Sequence, residues 1–84
     1  MREFYSGEGI RKARKSHHLT QEQLAKALNV SKSTIANYEN GKTIPSMETV
    51  IKLSMIFGIT TDELLDLINP PVKVDISVNG IKVQ

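Results

Sequence analysis

Two helix-start signals set close together, at Thr20 and Ser31, constrain this chain more than any other feature. Thr20 is a good N-cap, and Gln23 three residues on completes a capping box. Leu24, Ala25 and Leu28 then fall on one helical face, which predicts a helix over 21–28. Asn29 tolerates the left-handed conformation that a sharp helix exit needs. Ser31 starts another short helix, about residues 32–39, and Asn40-Gly41 closes it. Two short helices joined by so tight a turn make a helix-turn-helix. Ala25 is small where the two must cross, and Ile35 is the apolar wedge from the second.

The flanking segments read as a scaffold for this unit. Phe4 and Tyr5 pack on the helices, and Ser6 or Gly7 opens a first helix over roughly 7–17. Ile10, Ala13 and Arg14 share one side of it, with Arg11, Lys12 and Lys15 elsewhere and Leu19 buried beyond its end. Residues 42–45 form an extended loop, because Pro45 holds Ile44 out of the α region. Ser46 caps a helix over 47–57 with Val50, Ile51, Leu53, Ser54 and Phe57 inward, and Gly58 stops it. Thr60 with Glu63 is a second capping box, starting a helix over 61–68 with Leu64, Leu65 and Ile68 inside. Asn69-Pro70-Pro71 ends the helical part. The chain thus divides into a helical unit over 1–69 and an extension over 70–84.

In that extension the apolar period changes to two. Val72, Val74, Ile76 and Val78 alternate with Lys73, Asp75 and Ser77, and Asn79-Gly80 is a strong hairpin-turn signal. With that turn, Val78 pairs with Ile81 and Ile76 with Val83, all four on one face. Ser77 with Lys82 and Asp75 with Gln84 take the other. A lone hairpin is barely stable in water, so its apolar face needs a cover. The helices, or the same hairpin in a second copy, are the two candidates, and its edges are free to pair across a two-fold axis. Val74, Ile76, Val78, Ile81 and Val83 are therefore candidate dimerisation residues; a frayed tail is the alternative.

Bulk properties narrow the chemistry. Eighty-four residues, 39% hydrophobic and 24% charged, suit one small globular domain whose modest core favours a partner subunit. Residues 1–42 carry eight Lys/Arg against four Asp/Glu, a net +4, and residues 43–84 carry three against five, a net −2. A basic half suits a polyanionic partner. The chain has no cysteine, hence neither a disulfide scaffold nor a cysteine zinc site. No stretch reads as a signal peptide or a membrane span, so a cytoplasmic location is expected. His17 and His18 diverge on a helix and have no third ligand nearby, which favours solvated histidines closing a helix end over a metal site. They and the scattered carboxylates make no nucleophile–base constellation, so no enzyme activity, metal or cofactor is expected.

The second helix of the unit offers a reading surface. At 100° per residue, Ile35 and Tyr38, with Thr34 at the edge, face inward, while Lys32, Ser33, Ala36 and Asn37 form the opposite stripe. In helix-turn-helix docking the N-terminal part of this helix reaches base edges in the major groove. Lys32 can donate to guanine, Asn37 can hold adenine in two bonds, Ser33 is permissive and Ala36 can touch a thymine methyl. Phosphate contacts are expected from helix ends and nearby donors: Gln21, then Ser31, Asn40 and Lys42, then Thr43. Arg11, Lys12 and Lys15 add to the general field. A solvated polar stripe is the alternative reading of these residues.

Thr20-Gln21, Leu24-Ala25, Asn29-Val30-Ser31, Ile35, Tyr38-Glu39-Asn40-Gly41-Lys42 and Pro45, continuing through Leu53 and Phe57-Gly58-Ile59 to Leu64-Leu65, resemble the DNA-binding domain of lambda-repressor/Cro-like (Xre-type) regulators. The likeness covers roughly residues 8–68. It implies a mainly α fold, a five-helix bundle, here with a C-terminal β-hairpin added. It implies a homodimer on a two-fold-symmetric double-stranded DNA operator, with the third helix in the major groove. By position it puts base reading on Lys32, Ser33 and Asn37, and phosphate contact on Gln21, Asn40 and Lys42. It also suggests a partly buried Arg14–Glu39 ion pair, which accounts for an arginine on the apolar side of the first helix. Asn29 stands where the family usually has glycine, and the hairpin lies outside the family's minimal domain. The function implied is transcriptional regulation, most simply repression by occupying a promoter, in a bacterial or phage-encoded, nucleoid-associated protein. Two alternatives remain: an antitoxin or phage-immunity regulator whose hairpin captures a protein partner by strand addition, and a protein-binding adaptor that does not read DNA.

Overall fold

The computed structural model describes residues 5–69, together with 77–78 and 81–82. Five helices form the fold: α1 (Glu8–Ser16), α2 (Gln21–Leu28), α3 (Lys32–Glu39), α4 (Met47–Phe57) and α5 (Thr61–Ile68). Their starts follow from side-chain caps. The Thr20 hydroxyl accepts from the Gln23 backbone N–H at 3.0 Å while the Gln23 side chain accepts from the Thr20 N–H at 2.8 Å. Thr60 and Glu63 repeat the arrangement at 3.0 and 2.8 Å. Ser31 and Ser46 accept from Thr34 N–H and Thr49 N–H at the starts of α3 and α4. Each such cap satisfies a backbone donor left over by the helix and is worth about 1 kcal/mol. Only α1 lacks a side-chain cap, and it begins after Gly7 and ends at Ser16, a residue inside the expected range at each end.

The ends of α1 to α4 share one device. Asn29, Gly41 and Gly58 take left-handed backbone angles, with φ of 61°, 78° and 68°. In each case the following N–H folds back onto a carbonyl of the preceding turn: Val30 onto Ala25, Lys42 onto Asn37, Ile59 onto Ser54. His18, with φ 57°, does the same for α1, sending the Leu19 N–H to the Arg14 carbonyl at 3.1 Å. The sharp reversal after α1 is thus made by a histidine in a conformation that costs non-glycine residues energy.

Ile10, Leu24, Ile35, Leu53, Leu64 and Ile68 are fully buried and form the centre of the core, joined by Ala25, Leu28, Val50 and Phe57. At about 1.5–3 kcal/mol for each large apolar side chain withdrawn from water, these residues supply the main drive for the bundle. Alternation by 3.6 residues accounts for most of them, but Ile51, expected on the inner face of α4, lies on the surface. Leu19 and Leu65 are partly buried against the core rather than inside it.

α1 closes the bundle by lying across both α3 and α5. It approaches so closely that a Cβ on Gly7 would overlap the Tyr38 and Glu39 carbonyls, and one on Gly9 the Leu67 carbonyl. Ser6 N–H donates to the Ile68 carbonyl at 2.7 Å, and the Tyr5 hydroxyl donates to the Tyr38 carbonyl at 2.8 Å. Burial, with the neighbouring Tyr38 and Glu39, pushes the Tyr5 hydroxyl up to about 12, so it stays a donor.

Beyond the bundle, Ser77–Val78 pair antiparallel with Ile81–Lys82, Ser77 opposite Lys82 and Val78 opposite Ile81. Strands of two residues do not establish a hairpin as an element of the fold, which stands on its five helices. The expected pairs 76 with 83 and 75 with 84, the candidate dimerisation residues Val74, Ile76 and Val83, and Phe4 all lie outside the described residues.

Candidate nucleic-acid interface

α3 is held at both ends and along its back. Ser31 caps its start, the Gly41 reversal closes its end, Ile35 is sunk in the core and Glu39 is buried. α2 packs along it more extensively than any other helix pair in the bundle, with small Ala25 among the buried residues. What remains outward is the stripe expected to read bases. Lys32 and Ser33 are exposed in the first turn, and Ala36 and Asn37 are half-buried one turn on.

The residues expected to meet phosphate divide into two groups. Asn40, Lys42 and Thr43 are exposed together beyond the C-terminal end of α3. Its carbonyl dipole disfavours an anion there, so a contact would depend on the Lys42 charge and the side-chain amide. Ser31 is otherwise engaged: its hydroxyl lies 2.9 Å from Thr34 Oγ1 and 3.1 Å from Ser33 Oγ, besides capping the helix. Ser33 is therefore tied to the cap at its own hydroxyl.

Gln21, the first residue of α2, is built in from behind. Arg14 Nε donates to Glu39 Oε2 at 2.6 Å, Arg14 Nη2 to Glu39 Oε1 at 3.2 Å and Arg14 Nη1 to the Leu19 carbonyl at 2.7 Å. Gln21 Nε2 donates to the same Glu39 Oε1 at 3.1 Å. An amide nitrogen has two hydrogens, so one is held by Glu39 and one remains for a ligand. Burial by itself raises the Glu39 carboxyl, but the hydrogen bonds from Arg14 and Gln21 and the Arg14 charge outweigh it and hold the group below its ordinary value. The carboxylate is therefore charged, and it is paired with Arg14 behind Gln21.

Gln21 and Lys32 line one shallow depression of about 450 Å³, together with His18, Thr20 and Glu22. It joins the start of α2 to the start of α3, so the foremost phosphate candidate and the foremost base candidate share one surface. His18 was not singled out from the sequence as part of that surface. Its place follows from the left-handed turn after α1, which no local pattern announces for a histidine. The Gln21–Glu39 bond was equally hidden, since it joins residues on different helices. His17 turns the other way: its ring packs on Phe57 with centroids 5.4 Å apart, and its Nδ1 lies 2.9 Å from the Ala13 carbonyl.

A short helix clamped from behind, polar in front and paired across a tight turn with a second helix defines a helix-turn-helix DNA-binding domain. The chain belongs to the Cro/C1-type helix-turn-helix family of DNA-binding transcription regulators: the helix-turn-helix family model matches residues 10–64. It is 45% identical over 58 residues to the transcriptional activator BcrR of Enterococcus faecalis, a match covering 69% of this chain and 28% of that protein. It is 39% identical over 56 residues to the cryptic phage CTXphi transcriptional repressor RstR of Vibrio cholerae, covering 67% of this chain and 50% of RstR. The chain therefore spans half or less of the length of these relatives. Among solved structures, the DNA-binding domain of the P22 c2 repressor superposes with a TM-score of 0.68 at 36% identity, over 73% of this chain and 83% of that domain. Among the described residues no helix is long and apolar enough to cross a membrane.

Proposed function

We propose that this protein is a sequence-specific regulator of transcription that binds double-stranded DNA as a homodimer, most simply a repressor occupying a palindromic operator. α3 enters the major groove; Lys32 and Asn37 read base edges, with Ser33 and Ala36 completing the surface. Gln21, Asn40 and Lys42 contact phosphates, with Thr43 beside them. The observation that carries this reading is the separation of faces on α3: Ile35 and Glu39 are buried while Lys32 and Ser33 stand exposed at its N-terminal turn. That is the turn which reaches base edges in helix-turn-helix docking. Arg14 and Glu39 serve this surface structurally by fixing α1 against α3 and by holding Gln21.

Selection from random duplexes tests the reading. The expected product is a two-fold-symmetric consensus that loses a preference for adenine at one position per half-site in Asn37→Ala, a discrimination worth about 1–3 kcal/mol. Affinity should also fall with salt at a log–log slope near −0.9 for each phosphate neutralised. A consensus identical in the two proteins refutes the role of Asn37, and binding without salt dependence refutes DNA reading and favours a protein-binding adaptor.

Residues 70–84 are proposed to reinforce the dimer through Val74, Ile76, Val78, Ile81 and Val83. A chain ending at Asn69 should then keep its helical content and dimerise more weakly. Unchanged sedimentation of that shorter chain would rule the extension out as a dimer contact.

A further inference from the structure

α4 carries a second apolar face that the core does not use. Met47, Ile51 and Met55 are 55%, 46% and 75% exposed, and Ile44, just before the helix, is 42% exposed. Residues four apart stack along one side of a helix, so the three α4 side chains form a continuous line from its first turn to its last. Val50, Leu53, Ser54 and Phe57 occupy the inward side, and no described residue covers the outer line. Glu48 and Lys52 are exposed along the flank of the line away from the core. The four exposed side chains present on the order of 400 Å² of apolar surface, the size at which a patch on a small protein marks an interaction site.

We infer that this line is the seat of a second copy of the same chain, packed α4 against antiparallel α4 across a two-fold axis at Ile51. The proposal rests on the dimer reading above and locates the interface that reading requires. Three observations favour a second copy as the occupant. First, the line is symmetrical about its middle: a two-fold axis there sets Ile51 against its own copy and Met47 against Met55 at both ends, as an isologous contact demands. Second, the flanking charges are complementary under the same operation, because the Glu48 of one copy is brought beside the Lys52 of the other. Third, the area is of the right scale. Doubling the patch gives on the order of 800 Å², an apolar centre for the roughly 1,200–2,000 Å² of a stable interface. The polar rim around the line supplies the remainder. Ile44 follows α3 through only residues 40–43, so the contact adjoins the reading helix and couples its orientation to that of the partner's.

Sedimentation of the 84-residue chain tests the register directly. Wild type should be a dimer at tens of micromolar. In Met47→Lys/Met55→Lys both Met47–Met55 pairs across the axis become Lys against Lys, and the dimer Kd should rise by roughly 100-fold or more. In Met47→Glu/Met55→Lys the same positions become Glu against Lys, and much of that loss should be recovered. Both substituted positions are exposed, so the circular dichroism of each variant should match wild type. Binding to a single half-site, followed in parallel, should be retained in both double variants and reports DNA reading separately. A wild-type monomer overturns the dimer reading and this interface with it. A wild-type dimer that Met47→Lys/Met55→Lys leaves intact overturns the interface alone, as does failure of the Glu/Lys variant to dimerise better than the Lys/Lys variant.

Discussion

Replacing Glu39 with alanine tests whether α1 is locked to α3 by charge. The carboxylate accepts from Arg14 twice and from Gln21 once, at 2.6, 3.2 and 3.1 Å. Without it, Arg14 stays buried with only the Leu19 carbonyl, at 2.7 Å, among its partners. Stranding a buried charge in this way costs about 3–5 kcal/mol. A bundle of this size has only about 3–10 kcal/mol in all. Urea unfolding followed by circular dichroism reads the effect: with m near 1–1.5 kcal/mol/M for so small a domain, the midpoint should fall by about 2 M or more. The double replacement Arg14→Met/Glu39→Leu removes both charges at similar volume and should regain most of that loss. The pH dependence has a definite sign. Because the folded carboxyl lies below its ordinary value of 4.5, its contribution is complete above that pH and drains away as pH falls through the lower folded value. Glu39→Gln should therefore lack the part of the acid transition that wild type shows below pH 4.5. A midpoint shift under about 0.5 M for Glu39→Ala, or a double variant no more stable than the single one, would refute the account.

Substitutions at two further positions probe the frame. Gly9→Ala places a methyl group against the Leu67 carbonyl and should destabilise the bundle by about 1–3 kcal/mol, although alanine is the better helix former; a rise in Tm would show that α1 can move away from α5. His18→Gly relieves the left-handed strain after α1 and should raise stability by about 0.5–1 kcal/mol, measured as a small rise in Tm, whereas His18→Val should lower it.

Local chemistry made most of the helix boundaries legible. α2 to α5 begin where a hydroxyl meets its capping position, and their ends match left-handed Asn29, Gly41 and Gly58 or the start of Asn69-Pro70. α1 has no such cap, and its limits were correspondingly looser. What escaped was tertiary. Gly7 read as a possible opening residue and Gly9 drew no reading, but both let α1 touch carbonyls, Gly7 of α3 and Gly9 of α5. Ile51 was misplaced because it borders the inward arc of α4, and periodicity alone cannot tell the rim of a core from a separate apolar face. The stripe on α3 was legible, because a helix with Ile35 inside must turn Lys32, Ser33 and Asn37 out or to the side. The bond from Gln21 to Glu39 was not, because nothing in a single sequence links two polar residues on different helices. Arg14 gained its partner only from the family likeness.

The brevity of α3 has its own consequence. Eight residues make about two turns, some 12 Å of rod, which in the proposed docking would lie alongside only three or four base pairs. A word of four letters recurs by chance about once in 256 positions, far too often to mark one place in a genome offering upward of a million competitors. One such rod cannot carry an address by itself, however well its side chains fit. On the proposed dimer reading, addressing would come from counting two words at a fixed separation, which would make the rigidity of whatever spaces the rods as informative as the letters they touch.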